Sequence, residues 1–170
     1  MSTTIRRAKL GDEAILAELG ARTFTETFGH IYKPEDLAAF LDKSHSTAAY
    51  RAGLEDPQMA FWLAARDGVD FAYAAAGPCT LPVDDMPESA GELGRLYVAQ
   101  GYQGGGTGIA LLEEVLAWLE ANFEHLYLSV FSENTGAQRL YQRYGFSKIK
   151  EYKYMVGNHA DHEFLYARLD

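Results

Sequence analysis

The sequence predicts an α/β fold (α+β in some schemes), with helices on both faces of a mixed, mostly antiparallel central sheet of about seven strands. Three observations predict it. Strand and helix patterns follow one another in the order β-α-α-α-β-β-β-α-β-α-β-β. Asp67-Gly68 separates two β-rich runs, which is typical of a tight hairpin. The stretch from Glu92 to Glu120 is typical of a strand, a glycine-rich turn and an amphipathic helix.

The length and composition predict one soluble globular domain spanning residues 1–170. A chain of 170 residues is long enough to bury a core, and its contents of 48% apolar and 23% charged residues are ordinary for a soluble protein. The net charge of -9 argues against a nucleic-acid partner, which favours a basic face. It suits a cationic acceptor such as an amine, or it serves only solubility.

The sequence also predicts a cytoplasmic protein with no membrane partner. Its one cysteine, Cys79, has no partner for an internal disulfide, which fits a reducing compartment. The N-terminus has no apolar signal segment, and no apolar run approaches the length of a membrane span. The five histidines have no metal-binding spacing, so we expect no metal.

One strand and three helices are predicted in the first third of the chain. The strand is predicted over Thr3–Arg7, and Asp12 stands where it would cap the first helix. Pro34 suits the first turn of the second helix. Ser46 or Thr47 is predicted to cap the third helix.

Six more strands and two more helices are predicted in the rest of the chain. Alternating or β-rich runs predict the strands, and amphipathic spacing predicts the helices. Between Gly77 and Gly91, three prolines predict a loop. The predicted strands are Met59–Arg66, Val69–Ala75, Glu92–Val98, His125–Phe131, Phe146–Val156 and His162–Leu169, and the predicted helices are Thr107–Asn122 and Asn134–Tyr144.

The glycine-rich turn Gln103–Gly108 predicts a binding site for a phosphorylated cofactor. Glycines let the backbone turn tightly and approach a ligand closely. The helix that follows begins with free N–H groups and the positive end of its dipole, which favour phosphate. The turn lacks the lysine of a Walker A loop, and its glycine spacing does not match the dinucleotide-binding pattern GxGxxG.

Two motifs together resemble the signatures of the GNAT acetyltransferase superfamily. Gln103-x-x-Gly106-x-Gly108 follows a strand that ends in Val98, as the acetyl-CoA signature does. The segment from Asn134 to Phe146 resembles the family's second signature, N-x-x-A-x-x-x-Y-x-x-x-G-F. The resemblance covers nearly the whole chain and implies the GNAT fold and acetyl-CoA as the co-substrate.

The resemblance implies which residues bind acetyl-CoA. The backbone N–H groups of the turn would hold the pyrophosphate, and the backbone of β-strand residues would bind the pantetheine arm as an added strand does. Asn134 would contact the same arm, although a plain helix-capping role is equally open. The implied residues are Leu96, Val98, Gln103, Gly104, Gly105, Gly106, Thr107, Gly108 and Asn134.

Tyr141 and Glu92 are the candidate catalytic residues. Tyr141 matches the tyrosine that the family uses as an acid toward the CoA thiolate, although a buried structural tyrosine is the alternative. The place of Glu92, six residues before Val98, resembles that of the catalytic glutamate in histone-acetylating members. A water chain is the alternative base. Strict alternation predicts that Glu92 and Val98 share one strand face and that Tyr97 faces the other unless a bulge intervenes.

The acceptor is predicted to be a primary amine. Four residues near the end of the first helix are candidates for its pocket: Phe24, Glu26, Phe28 and His30. A weaker resemblance to bacterial polyamine-acetylating members, over the segments ETF and YKPEDLAAFL, favours a polyamine or another small cationic amine. A small antibiotic amine, an amino acid and a protein N-terminus stay open as acceptors. An acyl donor other than acetyl-CoA and a non-catalytic CoA-binding regulator are further alternatives. A homodimer, common in the family, is also open.

Overall fold

A computed structural model describes residues 2–168 and contains seven strands and five helices. The strands are β1 (Thr3–Arg7), β2 (Ala60–Arg66), β3 (Val69–Pro78), β4 (Ala90–Val98), β5 (His125–Phe131), β6 (Phe146–Val156) and β7 (His159–Arg168). The helices are α1 (Glu13–Phe28), α2 (Pro34–Ser44), α3 (Thr47–Glu55), α4 (Thr107–Asn122) and α5 (Thr135–Arg143).

The strands form one sheet in the order β1-β2-β3-β4-β5-β7-β6. Only β4 and β5 are parallel, and every other neighbouring pair is antiparallel. Because α4 supplies the crossover between β4 and β5, the one parallel pair falls where the sequence has a long helix between two strands. The predicted mixed, mostly antiparallel sheet is confirmed.

Helices cover both faces of the sheet, as predicted. On one face, Leu16 of α1 and Tyr50 of α3 pack against buried side chains of β2 and β3. On the other face, Leu112 and Leu116 of α4 pack against Phe71 and its neighbours in the largest core cluster. Truncating a fully buried leucine such as Leu112 costs about 2–5 kcal/mol. Within residues 2–168, no helix is both long and apolar enough to cross a membrane.

Most of the predicted helix ends are confirmed. Ser46 Oγ accepts a hydrogen bond from Ala49 N at 3.1 Å, so Ser46 caps α3. Pro34 occupies the first turn of α2. Asp12 also stands at the N-cap position of α1, but its side chain does not cap the helix. Instead both of its carboxylate oxygens accept from the Arg6 guanidinium, at 2.8 and 3.0 Å, which holds the pKa of Asp12 below its usual value.

Three strands are longer than the sequence predicts. β3 continues to Pro78 and β4 begins at Ala90, so both take residues from the predicted loop. β7 begins at His159, three residues before its predicted start, because Val156 pairs with His159 across the two-residue turn Gly157-Asn158. Pairing with a neighbouring strand, which local alternation does not report, extends each of them. The predicted last residue of β7, Leu169, lies outside the described residues.

A β-bulge at Gly94 changes which side chains of β4 share a face. Ala76 pairs with Leu93 while Ala75 pairs with Arg95, so Gly94 is an extra residue in β4. An extra residue reverses the alternation beyond it. The prediction that Glu92 and Val98 share one face is therefore wrong.

The bulge brings the side chains of Glu92, Arg95 and Tyr97 to the sheet face that carries α1 and α3. All three line one cavity there. Leu96 and Val98 instead pack against the core beneath α4.

β4 and β5 part halfway along their length. Their parallel pairing runs only from Ala90–His125 to Leu93–Leu128. Beyond Leu93, β4 stays paired with β3, and β5 stays paired with β7. A slot therefore opens between the second halves of β4 and β5.

Candidate active site

The slot exposes unpaired backbone groups of β4. Ala99 N donates to Phe71 O at 2.8 Å, toward β3. Backbone groups alternate in direction along a strand, so those of Val98 and Leu96 point away from β3 and into the slot. Gln103 Nε2 donates to Val98 O at 3.0 Å. An extended ligand in the slot would find the backbone groups that an added strand would use.

The glycine-rich turn lies at the start of α4, directly after β4. Gly104 and Gly106 have φ angles of +86° and +85°, which favour glycine. The N–H groups of Thr107, Gly108 and Ile109, in the first turn of α4, donate no hydrogen bond within residues 2–168. These free donors and the helix dipole form a site for an anion such as a pyrophosphate.

The space around these glycines fits a ligand. A Cβ at Gly104 or Gly106 would meet nothing within 4 Å, and one at Gly108 would meet only Val98 Cγ2 at 3.8 Å. Protein packing therefore does not require glycine at position 108. The open space suits a phosphorylated group that approaches the backbone closely.

Arg66, at the end of β2, is a cofactor-site candidate that sequence reasoning missed. Its Nη2 would lie 3.4 Å from a Cβ on Gly105, and its guanidinium stacks 5.0 Å from the centre of the Phe71 ring. Within residues 2–168 it forms no salt bridge. A guanidinium beside an anion-binding turn can bind phosphate. No local motif marks it, because hairpin and sheet pairing bring β2 to the turn.

A cavity of about 500 Å³ lies on the sheet face that carries α1 and α3, between the sheet and helices α1–α3. This size suits a small-molecule ligand. Aromatic side chains dominate its wall, together with three carboxylates and one guanidinium. The aromatic residues are Phe24, Phe28, Tyr32, Phe40, Tyr50, Phe61, Tyr97, Tyr152 and Tyr154, and the charged ones are Glu92, Arg95, Asp161 and Glu163.

Glu163 and Asp161, both on β7, form the acidic part of the cavity. Ser129 Oγ donates to Glu163 Oε1 at 2.9 Å, and Tyr152 OH lies 2.6 Å from the same Ser129 oxygen. Burial raises the pKa of Glu163 to about 7, and the nearby Asp161 adds to the increase. A carboxylate that gains and loses a proton near neutral pH suits acid–base catalysis.

Asp161 is buried and has one oxygen without a hydrogen bond. Tyr32 OH donates to Asp161 Oδ2. Asp161 Oδ1 lies 3.2 Å from His159 Nε2, but within residues 2–168 it accepts no hydrogen bond. Asp161 therefore makes this part of the cavity wall acidic.

Sequence reasoning missed Glu163 and Asp161, although a signal existed. Alternation along β7 puts both acids on the same face as Leu165 and Ala167, which are buried. Acids on a buried strand face indicate a polar site. The uncertain start of β7 hid this pattern.

The two predicted catalytic residues lie on opposite faces of the sheet. Glu92 lines the cavity, where its Oε1 accepts from Thr80 N at 2.5 Å and from Thr80 Oγ1 at 2.7 Å. Tyr141, on α5, packs against the core beneath α4. Burial raises the pKa of Tyr141, and the charge of Tyr97 adds to the increase.

The predicted acceptor residues lie in three different places. Phe24 and Phe28 line the cavity. His30 lines a second, shallower pocket with Asn134, and neither residue reaches the first cavity. Glu26 lines neither pocket, since its carboxylate binds Arg22 and accepts from Gln100 N at 3.0 Å.

Asn134 caps α5, because its Oδ1 accepts from Ala137 N at 3.1 Å. Its contact with a cofactor stays a prediction. Within residues 2–168, no group of three or more His, Cys, Asp or Glu side chains is arranged to hold a metal ion.

Comparison with known proteins finds similarity to N-acetyltransferases. The family model described as "Acetyltransferase (GNAT) family" matches residues 21–146. An uncharacterised N-acetyltransferase of Mycobacterium tuberculosis is 32% identical over 154 residues, which cover 90% of this chain and 94% of that protein. The spermine/spermidine N(1)-acetyltransferase of Bacillus subtilis is 39% identical over 56 residues, which cover 32% of this chain and 37% of that protein.

A similar solved structure is PaiA N-acetyltransferase from Thermoplasma acidophilum in complex with coenzyme A. It superposes with a TM-score of 0.75 at 19% identity, over 97% of this chain and 98% of that one. At this identity the likeness shows a shared fold.

Replacing Gly108 with alanine should weaken acetyl-CoA binding about tenfold, or 1.4 kcal/mol. The added methyl group would occupy space next to the free N–H groups of α4. It meets no protein atom closer than 3.8 Å, and alanine favours a helix over glycine by up to about 1 kcal/mol, so Tm should stay unchanged or rise. Calorimetric titration with acetyl-CoA and thermal unfolding measure the two effects.

The matched control for this prediction is Gly11→Ala, outside the slot. Gly11 has a φ of +106° and open space around it, so alanine there should lower Tm through backbone strain and leave acetyl-CoA affinity unchanged. Unchanged affinity in Gly108→Ala would contradict the assignment of this turn.

Proposed function

We propose that this chain acetylates the primary amine of a small molecule. The chain belongs to the acetyltransferase (GNAT) family and is an acetyl-CoA-dependent N-acetyltransferase. The amine attacks the thioester directly, with no covalent enzyme intermediate. The observation that carries the proposal is the junction of slot and cavity on β4. The backbone of Leu96 faces the slot, while the side chain of the next residue, Tyr97, lines the cavity. A donor in the slot and an acceptor in the cavity would therefore meet there.

The chain's own residues would hold acetyl-CoA in three places. The N–H groups from Gly104 to Gly108 would bind the pyrophosphate, with Arg66 beside them. The backbone of Leu96 and Val98 would bind the pantetheine arm in the slot. Asn134 would contact the same arm in addition to capping α5.

Two carboxylates of the cavity are candidates to take the proton from the amine. Glu163 is favoured because its pKa of about 7 lets it bind a proton during the reaction and release it at neutral pH. Glu92, the candidate from the sequence, is held by two hydrogen bonds from Thr80. These bonds fix the carboxylate at the cavity wall, which favours a role in attracting the amine.

Tyr141 would assist the departure of the thiolate. Its raised pKa keeps the phenol protonated at neutral pH, so that the O–H can donate to the developing sulfur charge. Tyr141 packs against the same core as Leu96 and Val98, whose backbone faces the slot.

The sequence predicts a polyamine or another small cationic amine as the acceptor. Some observations favour such an acceptor, and one argues against it. The net charge of -9, the acids of the cavity and the partial similarity to the Bacillus spermine/spermidine enzyme favour a cation. The guanidinium of Arg95 in the same cavity opposes a ligand that is cationic throughout.

Thiol release from acetyl-CoA tests whether the chain acetylates a small-molecule amine. Four reactions run in parallel, with spermidine, with a panel of small amines that includes amino acids, with a peptide bearing a free N-terminus and with no acceptor. Release that requires a small amine supports the proposal. Release with the peptide alone would favour a protein N-terminus as the acceptor. Binding of acetyl-CoA without release in any reaction would favour a non-catalytic regulator.

Replacing Tyr141 with phenylalanine should lower kcat about 100-fold, because a positioned acid contributes at least that much. Acetyl-CoA affinity should change little, since the ring remains. Steady-state kinetics and titration separate the two. Tyr144→Phe, directly after the same helix and against the same core, is the control and should keep kcat. Equal kcat in wild type and Tyr141→Phe would remove the acid role.

Replacing Glu163 with glutamine should remove the acidic limb of the pH–rate profile. In the wild type, Glu163 is protonated below about pH 7, so kcat/KM should fall as the pH drops through 7. The variant should lose about 100-fold in kcat above pH 7 and show no inflection there. The control is Glu151→Gln on β6, whose carboxylate binds Lys148 and His162 outside the cavity.

Glu92→Gln decides between the two carboxylates. If Glu163 is the base, this variant keeps the inflection near pH 7, and its main change is a higher KM for the amine. Loss of the inflection in Glu92→Gln and its retention in Glu163→Gln would reverse the assignment.

A further inference from the structure

Arg95 is a cation in the cavity wall, and no carboxylate among the described residues forms an ion pair with it. It follows the bulge at Gly94, which turns its side chain away from α4 and into the cavity. Its guanidinium forms no salt bridge within 4.0 Å among residues 2–168. A partly buried charge without a counter-ion is costly, so such a group commonly has a functional partner.

The groups around Arg95 hold it in place without neutralising it. Arg95 Nη1 donates to Tyr50 OH at 2.7 Å, and its guanidinium carbon lies 5.3 Å from the centre of the Tyr50 ring. Tyr50 OH in turn lies 2.8 Å from His45 Nδ1 and donates to Tyr73 OH at 3.2 Å. Burial, with the charge of Arg95, lowers the pKa of His45 to about 3, so the imidazole is neutral. The network positions the guanidinium and leaves its other N–H groups free.

The same cavity carries the opposite charge on β7. Tyr97 and Tyr154 line the cavity together with Glu163 and Arg95, and both charges act on the pKa of each phenol. The cavity wall therefore carries both a negative and a positive group. A ligand with a cationic amine and an anionic group complements both regions.

The anionic group is best matched by a carboxylate. A guanidinium presents N–H groups in a planar fork that fits the two oxygens of a carboxylate. A polyamine would place a second cation beside Arg95, at an electrostatic cost. The apolar and aromatic side chains of the cavity wall suit a hydrophobic or aromatic body.

We infer that the acceptor is an amino-acid-like molecule, a primary amine that also carries a carboxylate, and that Arg95 binds this carboxylate while the amine lies toward Glu163. This inference rests on the proposed function for the identity of the amine as acceptor. The binding of a carboxylate by Arg95 is measurable by itself.

The first measurement is binding, which needs no acetyl transfer. Carboxylic acids that lack an amine, such as 4-methylpentanoate and 3-phenylpropanoate, are titrated into the full chain beside their neutral amides. The acids should bind wild type, and Arg95→Gln should weaken them about 10- to 100-fold, as for a hydrogen bond to a charged group. Arg95→Lys should retain part of the affinity. Arg51→Gln, at an exposed position on α3, should change nothing.

The second measurement is acetyl transfer to matched acceptors. Each α-amino acid is compared with its amide and with the amine left by removal of the carboxylate, and spermidine is included. Wild type should prefer the amino acids about 10- to 100-fold in kcat/KM, and Arg95→Gln should bring this ratio close to one. Tm and acetyl-CoA affinity establish whether Arg95→Gln is folded. If Arg95→Gln unfolds, Arg95→Lys and the ratios measured with wild type test the proposal instead.

The outcomes separate the two proposals. Acids that fail to bind wild type, or that bind Arg95→Gln equally well, would overturn the role of Arg95. Spermidine or the decarboxylated amines reacting as fast as the amino acids would overturn the acceptor class while the N-acetyltransferase function stands. Arg95-dependent acid binding without transfer to any amine would refute the proposed function and leave the carboxylate site standing.

Discussion

The architecture depends on the parting of two parallel strands. β4 and β5 pair over four residues each and then separate, while each keeps its partner on the other side. A strand edge inside a sheet normally carries unpaired groups at a cost, so this opening is stable only because β3 and β7 hold the two edges in place. The opening supplies backbone donors and acceptors to the slot. It also leads directly to the glycine turn and the start of α4, where the anion site lies.

The bulge at Gly94 decides the chemistry of the second site. If β4 were regular and Gly94 took a place in its alternation, Arg95 and Tyr97 would lie on the face opposite Glu92. With the bulge, a carboxylate, a guanidinium and a phenol of one short strand segment all line the cavity. β4 thereby presents backbone groups to the slot along its edge. It presents charged side chains to the cavity on one face of the sheet. The two substrates can then meet without either one crossing the sheet.

The charge pattern of the cavity explains why the total charge of the chain says little about the acceptor. The net charge of -9 favours cationic ligands at long range, where it adds to the rate of encounter. At contact distance the few charges of the cavity decide which ligand fits, and Arg95 is among them. Glu163, Ser129 and Tyr152 form a hydrogen-bonded group on β5, β6 and β7, so the acidic region is built on sheet strands and is rigid.

The sequence by itself determined the order of the elements, the caps at Ser46 and Asn134 and the glycine turn, because periodicity, caps and turns are set by residues close together in the chain. It also contained the two motifs that resemble the family. Only the tertiary structure decided the bulge at Gly94, the true start of β7 and the convergence of Arg95 with Glu163. These depend on how distant strands pair, and a single extra residue in one strand exchanges its faces without changing any local pattern.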